Sequence, residues 1–129
     1  MNLCLTYMYR DAGNFKSHAR LILHNPRGLP AEEVEGRITP LLDQGEYFIA
    51  EQTESLPSVA FYATGKGGVT DQDHCWHELT GVFPTPEPPN EPFTIDKIIA
   101  DLEQAANEGW REFRPGDLYP TADDEDGDL

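Results

Sequence analysis

Basic residues are scarce in this chain: 9 Lys and Arg stand against 24 Asp and Glu, a formal charge of −15 and a pI near 4.3. A surface of that sign repels phosphate backbones, so no direct nucleic-acid binding is expected. Cysteine is nearly absent. Cys4 and Cys75 are too few for a disulfide framework at this length, and both fall at strand-like positions where a reduced thiol packs as a small hydrophobe. That usage points to a reducing cytoplasm. No apolar run approaches the roughly 18 residues needed to cross a bilayer, so no membrane partner is expected. The stretch from Met1 to Tyr7 has neither the basic start nor the cleavage site of a signal peptide.

What the chain does have is enough apolar material for one core. Of its 129 residues 38% are hydrophobic and 10% aromatic, and the length falls near the usual single-domain size of about 100–150 residues. Leu3, Leu5, Tyr7 and Tyr9 alternate with Asn2, Cys4, Thr6 and Met8, a period of two that predicts a strand. Asp11-Ala12-Gly13-Asn14 is turn chemistry, and a second alternating run over 18–24 completes a hairpin. Pro30 suits a helix start, and Glu32, Glu33 and Glu35 favour its positive end. Val34, Ile38, Leu41 and Leu42 form the apolar stripe, and Gly45 is the expected C-cap. Pro40 predicts a break, with a short helix ending near Thr39 and a further turn.

Alternation predicts further strands over 46–52, 58–64 and, less clearly, 74–82. Pro84, Pro86, Pro88, Pro89 and Pro92 follow; such a run favours polyproline II and is not expected inside a sheet. It holds two proline-x-x-proline spacings, better explained as a rigid connector than as a ligand for an aromatic groove. Thr94 is the expected N-cap of a second helix, whose stripe is Ile95, Ile98, Ile99, Leu102, Ala105 and Ala106. Gly109 fits its C-terminal stop, with Trp110 packing back on the last turn. Residues 1–116 carry −9; residues 117–129 add −6 with no base, and predict a disordered acidic tail. The expected fold is therefore α+β, a single antiparallel-rich sheet of about five strands with two helices on one face, in the order β-β-α-β-β-β-α. The second and third strands could run parallel through a right-handed crossover.

No motif nominates a catalytic centre. Asp73-His74-Cys75-Trp76-His77-Glu78 is dense in metal-ligand types, and a metal-dependent enzyme using His74 and His77 is one alternative. On a strand, however, the odd separation of these imidazoles sends them to opposite faces. Gly65-Lys66-Gly67-Gly68-Val69-Thr70 lacks the second glycine-lysine pair of a phosphate-binding loop, and two aspartates follow it. Arg10, Lys16, His18 and Arg20 suggest a small basic spot on the first hairpin. Ser17 and His18 point apart as strand neighbours, and Ser55 and Ser58 have no evident base. No cofactor is implied.

What remains is charge. A field of this sign accelerates encounter with a basic protein. The reading taken from sequence is a small acidic protein-binding module: an inhibitor, an immunity or antitoxin-like protein, or an accessory subunit. A DNA mimic occupying a nucleic-acid-binding site is the alternative. Expected partner contacts are Trp76 and Trp110, since aromatics anchor interfaces, together with Asp123, Asp124, Glu125 and Asp126 of the tail. In composition the chain is similar to small acidic α+β immunity proteins and antitoxins of bacteria, a likeness no motif carries. A deep cavity lined by several acids together with imidazoles would count against a role in binding alone.

Overall fold

The structure is a computed structural model and describes residues 1–122. Strands β1 (Asn2–Arg10) and β2 (Lys16–Leu23) form the expected hairpin, with Leu3 opposite Leu23 and Arg10 opposite Lys16. Asn14 takes the positive φ (67°) that closes the turn, a conformation its short polar side chain tolerates. Helix α1 (Ala31–Ile38) begins after Pro30 and gives way to a 3-10 turn, Thr39–Leu41, containing Pro40. Gly45 does not cap this helix. With Gln44 it supplies the positive φ values (53° and 73°) of the turn from Asp43 to Tyr47.

Strand β3 is only Tyr47–Phe48, and β4 runs from His77 to Thr85. Helix α2 (Ile95–Glu108) matches expectation closely: Thr94 Oγ1 accepts from Lys97 N at 3.2 Å, and Gly109 ends it at φ 87°. The sheet is antiparallel with order β2-β1-β4-β3. Both helices press on one face of it. Leu3, Leu5, Tyr7, Leu21, Leu23, Phe48 and Val82 meet Val34 and Ile38 of α1 and Ile95, Ile98, Ile99 and Leu102 of α2 in one core.

Several expectations are corrected. The sheet has four strands, because 58–64 is not one of them. After β3 the chain turns through 3-10 segments Ala50–Gln52 and Phe61–Ala63. The alternation over 58–64 serves a satellite core instead, in which Ala60 and Tyr62 pack with Tyr9. The segment's Val59 N–H is satisfied by the His77 ring rather than by a neighbouring strand. β2 and β3 are not parallel neighbours; they occupy opposite edges. Pro84 does lie in a strand, opposite Leu3, where β3 has already ended and the other side of β4 needs no amide donor.

The proline segment then returns from β4 past β1 to β2. Asn2 Nδ2 donates to the Glu87 carbonyl, Arg20 pairs with Glu87, and Asn90 holds the outer side of Ile22 through its own N–H (3.0 Å) and its side-chain oxygen (2.7 Å). A connector this rich in proline has few amides to offer, so one asparagine does the work of an edge strand.

The boundary expected after residue 116 is not where contacts with the body end. A 3-10 turn covers Pro115–Asp117, Thr121 bridges to Val69, and Tyr119 packs on the satellite core. Asp123, Asp124, Glu125 and Asp126 lie outside the described residues. Cys4 and Cys75 are buried free thiols. None of the helices described is long and apolar enough to span a membrane.

Candidate functional site

The loop Asp73–Trp76, entering β4, is fixed from several sides. Tyr9 donates to Asp73 Oδ1 (2.5 Å), and Tyr62 donates to the His74 carbonyl (2.7 Å). His74 Nε2 donates to the Arg10 carbonyl at 2.6 Å, while its Nδ1 accepts from Trp76 N at 3.0 Å. Both ring nitrogens thus serve the backbone, which sets the tautomer and holds the next residue, Trp76, in place. The half-buried indole donates through Nε1 to Glu112 Oε1 at 3.1 Å.

Beside it opens a cleft of about 520 Å³ lined by Asp43, Gln44, Tyr47, His74, Trp76 and Glu112. It is an open surface feature, not an enclosed chamber. The Asp43–Tyr47 turn forms one wall, with Asp43 N donating to the Tyr47 carbonyl and Tyr47 N to the Asp43 carbonyl. The chain following α2 brings Glu112 to another. A second depression continues from His74 and Glu112 to Asp73, Arg114 and Asp117.

The first cleft is negative. Among the described residues neither Asp43 nor Glu112 meets a cation within ion-pair distance, and no Lys or Arg lines the walls. The Tyr47 phenol is held above its usual range, first by the charge of Glu46 and then by desolvation.

The imidazole in the wall has no free nitrogen to exchange a proton with a ligand. His77, the other half of the proposed pair, is fully buried; both rings pack against Tyr9, with centroids 5.0 Å (His74) and 5.7 Å (His77) from it, but both His74 nitrogens are taken by the backbone and His77 Nε2 accepts from Val59 N. Among the described residues no group of three or more His, Cys, Asp and Glu is placed to hold a metal. Ser58 Oγ lies 3.4 Å from His77 Nε2, a neighbour that the alternating pattern gave no reason to suspect. That nitrogen already accepts from Val59 N at 3.0 Å, and the buried ring offers no access to substrate. Burial also raises the Cys75 thiol, which disfavours the nucleophilic thiolate.

The remaining sequence candidates are dispersed. Trp110 is half-buried: it packs on the main core after α2, and its Nε1 donates to the Leu41 carbonyl at 2.9 Å. Ser55 donates to Asp101 inside the molecule. The suggested basic spot is largely neutralised: Arg10 pairs with Glu78 (3.2 Å) and Arg20 with Glu87. The Asp43–Tyr47 turn and Glu112 carried no signal of a shared site, because they lie far from Trp76 and from each other in the chain and meet only through β3–β4 pairing and the return after α2. No family model matches the chain, and neither a curated protein nor a solved structure is significantly similar to it.

Proposed function

We propose that the protein is a small acidic docking module of the cytoplasm that engages a basic protein partner and performs no chemistry on it. The supporting observation is the way the charges are disposed. Every arginine, and Lys97, lies in an ion pair with a carboxylate of the chain itself. Most of the minority charge, all but Lys16 and Lys66, is thereby cancelled locally, and exposed carboxylates are left over: Glu32, Glu35, Glu46, Asp71 and Glu103 have no cation partner among the described residues. Exposed pairs of this kind add only about 0–1 kcal/mol each to stability, so their larger consequence is the one-signed field that remains.

Affinity capture from the native host, followed by binding measurements on the recovered partner across ionic strength, tests this reading. A basic partner whose association slows steeply with added salt is expected. A partner that is neutral or acidic, bound equally well at high salt, overturns it. Competition by duplex DNA for the same partner would move the assignment to a DNA mimic.

A further inference from the structure

We propose that the cleft beside Trp76 receives an arginine side chain of the basic partner, a proposal that rests on the docking reading above and names the group the site takes. The cleft's volume of about 520 Å³ accommodates a guanidinium and its aliphatic stem. Its walls combine two aromatic residues, Trp76 and Tyr47, with two carboxylates that no cation of the chain satisfies. A cation over an indole is attracted by the negative face of the ring, and among aromatic side chains tryptophan does this best.

Trp76 is also preorganised. Its backbone N–H is bound to His74 Nδ1 and its indole N–H to Glu112, so ligand binding need not freeze the ring. The bond to Trp76 uses Oε1 of Glu112 and leaves Oε2 without a hydrogen-bond partner among the described residues. Asp43 Oδ2 takes only a 3.4 Å contact from the adjoining Gln44 amide. A planar guanidinium can stack on a ring while donating in its own plane to carboxylates, which an ammonium cannot do, so arginine fits this combination better than lysine. An anionic ligand finds no cation in these walls, and a metal ion finds neither a third carboxylate nor a free imidazole nitrogen.

The test is a titration of the full chain with acetyl-Gly-Arg-Gly-amide, followed by ¹H–¹⁵N spectra. The chain has two indoles, and Trp110, bonded to the Leu41 carbonyl, is an internal control. Saturable shifts are expected at the Trp76 indole N–H and the Asp43–Tyr47 amides, and not at the Trp110 indole. The Asp43→Asn/Glu112→Gln pair, which keeps shape and the Trp76 hydrogen bond, should weaken binding about tenfold, equivalent to about 1.4 kcal/mol. The corresponding lysine peptide should bind more weakly than the arginine one.

Shifts spread equally over the Glu32–Glu35 surface, or binding unchanged in the double variant, overturn the proposal. Polyarginine separates the two levels of the argument. Salt-sensitive binding of polyarginine without any arginine-peptide response at Trp76 refutes the cleft and leaves the docking reading standing. Indifference to polyarginine as well removes both.

Discussion

Val59 N donates a 3.0 Å hydrogen bond to Nε2 of His77, a ring with no solvent exposure. This bond requires a neutral imidazole with its proton on Nδ1, an atom left without a hydrogen-bond partner among the described residues. Burial is the main reason that the His77 pKa falls from 6.5 to about 4. Above pH 6.5 the ring is neutral in both folded and unfolded chains, and its full contribution to stability is present. As pH falls through that value the unfolded chain takes up a proton that the folded one refuses, so stability declines until about pH 4 and then levels off with respect to this group. At about 1.36 kcal/mol per pH unit, the loss over the interval is about 3 kcal/mol. His77→Gln keeps an acceptor for Val59 N–H and cannot titrate. Urea unfolding between pH 7 and pH 4 should show a shallower decline for this variant than for the wild type; parallel curves would refute the assignment.

The connector and the sheet edge meet at Asn90. Its side-chain oxygen accepts from Ile22 N (2.7 Å), and its Nδ2 donates to the Arg20 carbonyl (3.3 Å). Asn90→Ala leaves those edge groups of β2 without their partner, and should cost about 1–2 kcal/mol in equilibrium unfolding. Asn90→Asp retains the acceptor for Ile22 and should recover part of the loss. Equal stability of all three proteins would show that solvent replaces these bonds freely.

The secure parts of the sequence reading were those where one local rule sufficed. Thr94, the apolar stripe of α2 and Gly109 each act within a few residues of chain, and the β1–β2 hairpin follows from alternation and a turn. Pro40 likewise broke the first helix where a missing amide demands it. The 58–64 segment failed because alternation reports only that two faces differ. It does not report whether a strand lies alongside, and here an imidazole and a satellite core take the strand's place. Trp76 was legible as a site candidate by residue type. Its companions in the cleft were not, since Asp43 and Glu112 are brought to it by tertiary pairing alone.

Inside α2, Asp101 is only 7% exposed, and it accepts from the buried Ser55 hydroxyl and from Lys97 Nζ at 2.8 Å. The two substitutions at this position should therefore separate charge from hydrogen bonding. Asp101→Asn keeps an oxygen for Ser55 and loses the ion pair with the partly exposed Lys97, which should cost about 1 kcal/mol or less. Asp101→Ala strands a buried hydroxyl and should cost about 1–3 kcal/mol. Chemical denaturation of the two variants, with Ser55→Ala in each background, measures the coupling; additivity would mean that the serine and the carboxylate do not share a bond of consequence.

Within the C-terminal region, residues up to 122 make contacts that hold the fold, and on the reading proposed here the acids of 123–129 contribute charge. Tyr119 packs on Tyr62 with ring centroids 4.9 Å apart and donates to Glu51 at 2.8 Å, with its own pKa pushed up to about 12 by burial and that carboxylate. A Cβ on Gly68 would lie 2.5 Å from Ala122 N, so the strand-like contact of Val69 with Thr121 needs a glycine there. Gly68→Ala should therefore loosen 119–122 and speed proteolysis near them, and Tyr119→Phe should lose about 1–2 kcal/mol by leaving Glu51 short of a donor. Removing 117–129 should destabilise the satellite core for the same reason. Removing only 123–129 takes away Asp123, Asp124, Glu125, Asp126 and Asp128 while sparing every contact named above. Stopped-flow association of the shorter truncation with a basic partner should be slower at low salt and converge with the full chain as salt rises. An association rate indifferent to those charges at low salt would place the functional field wholly on the folded body.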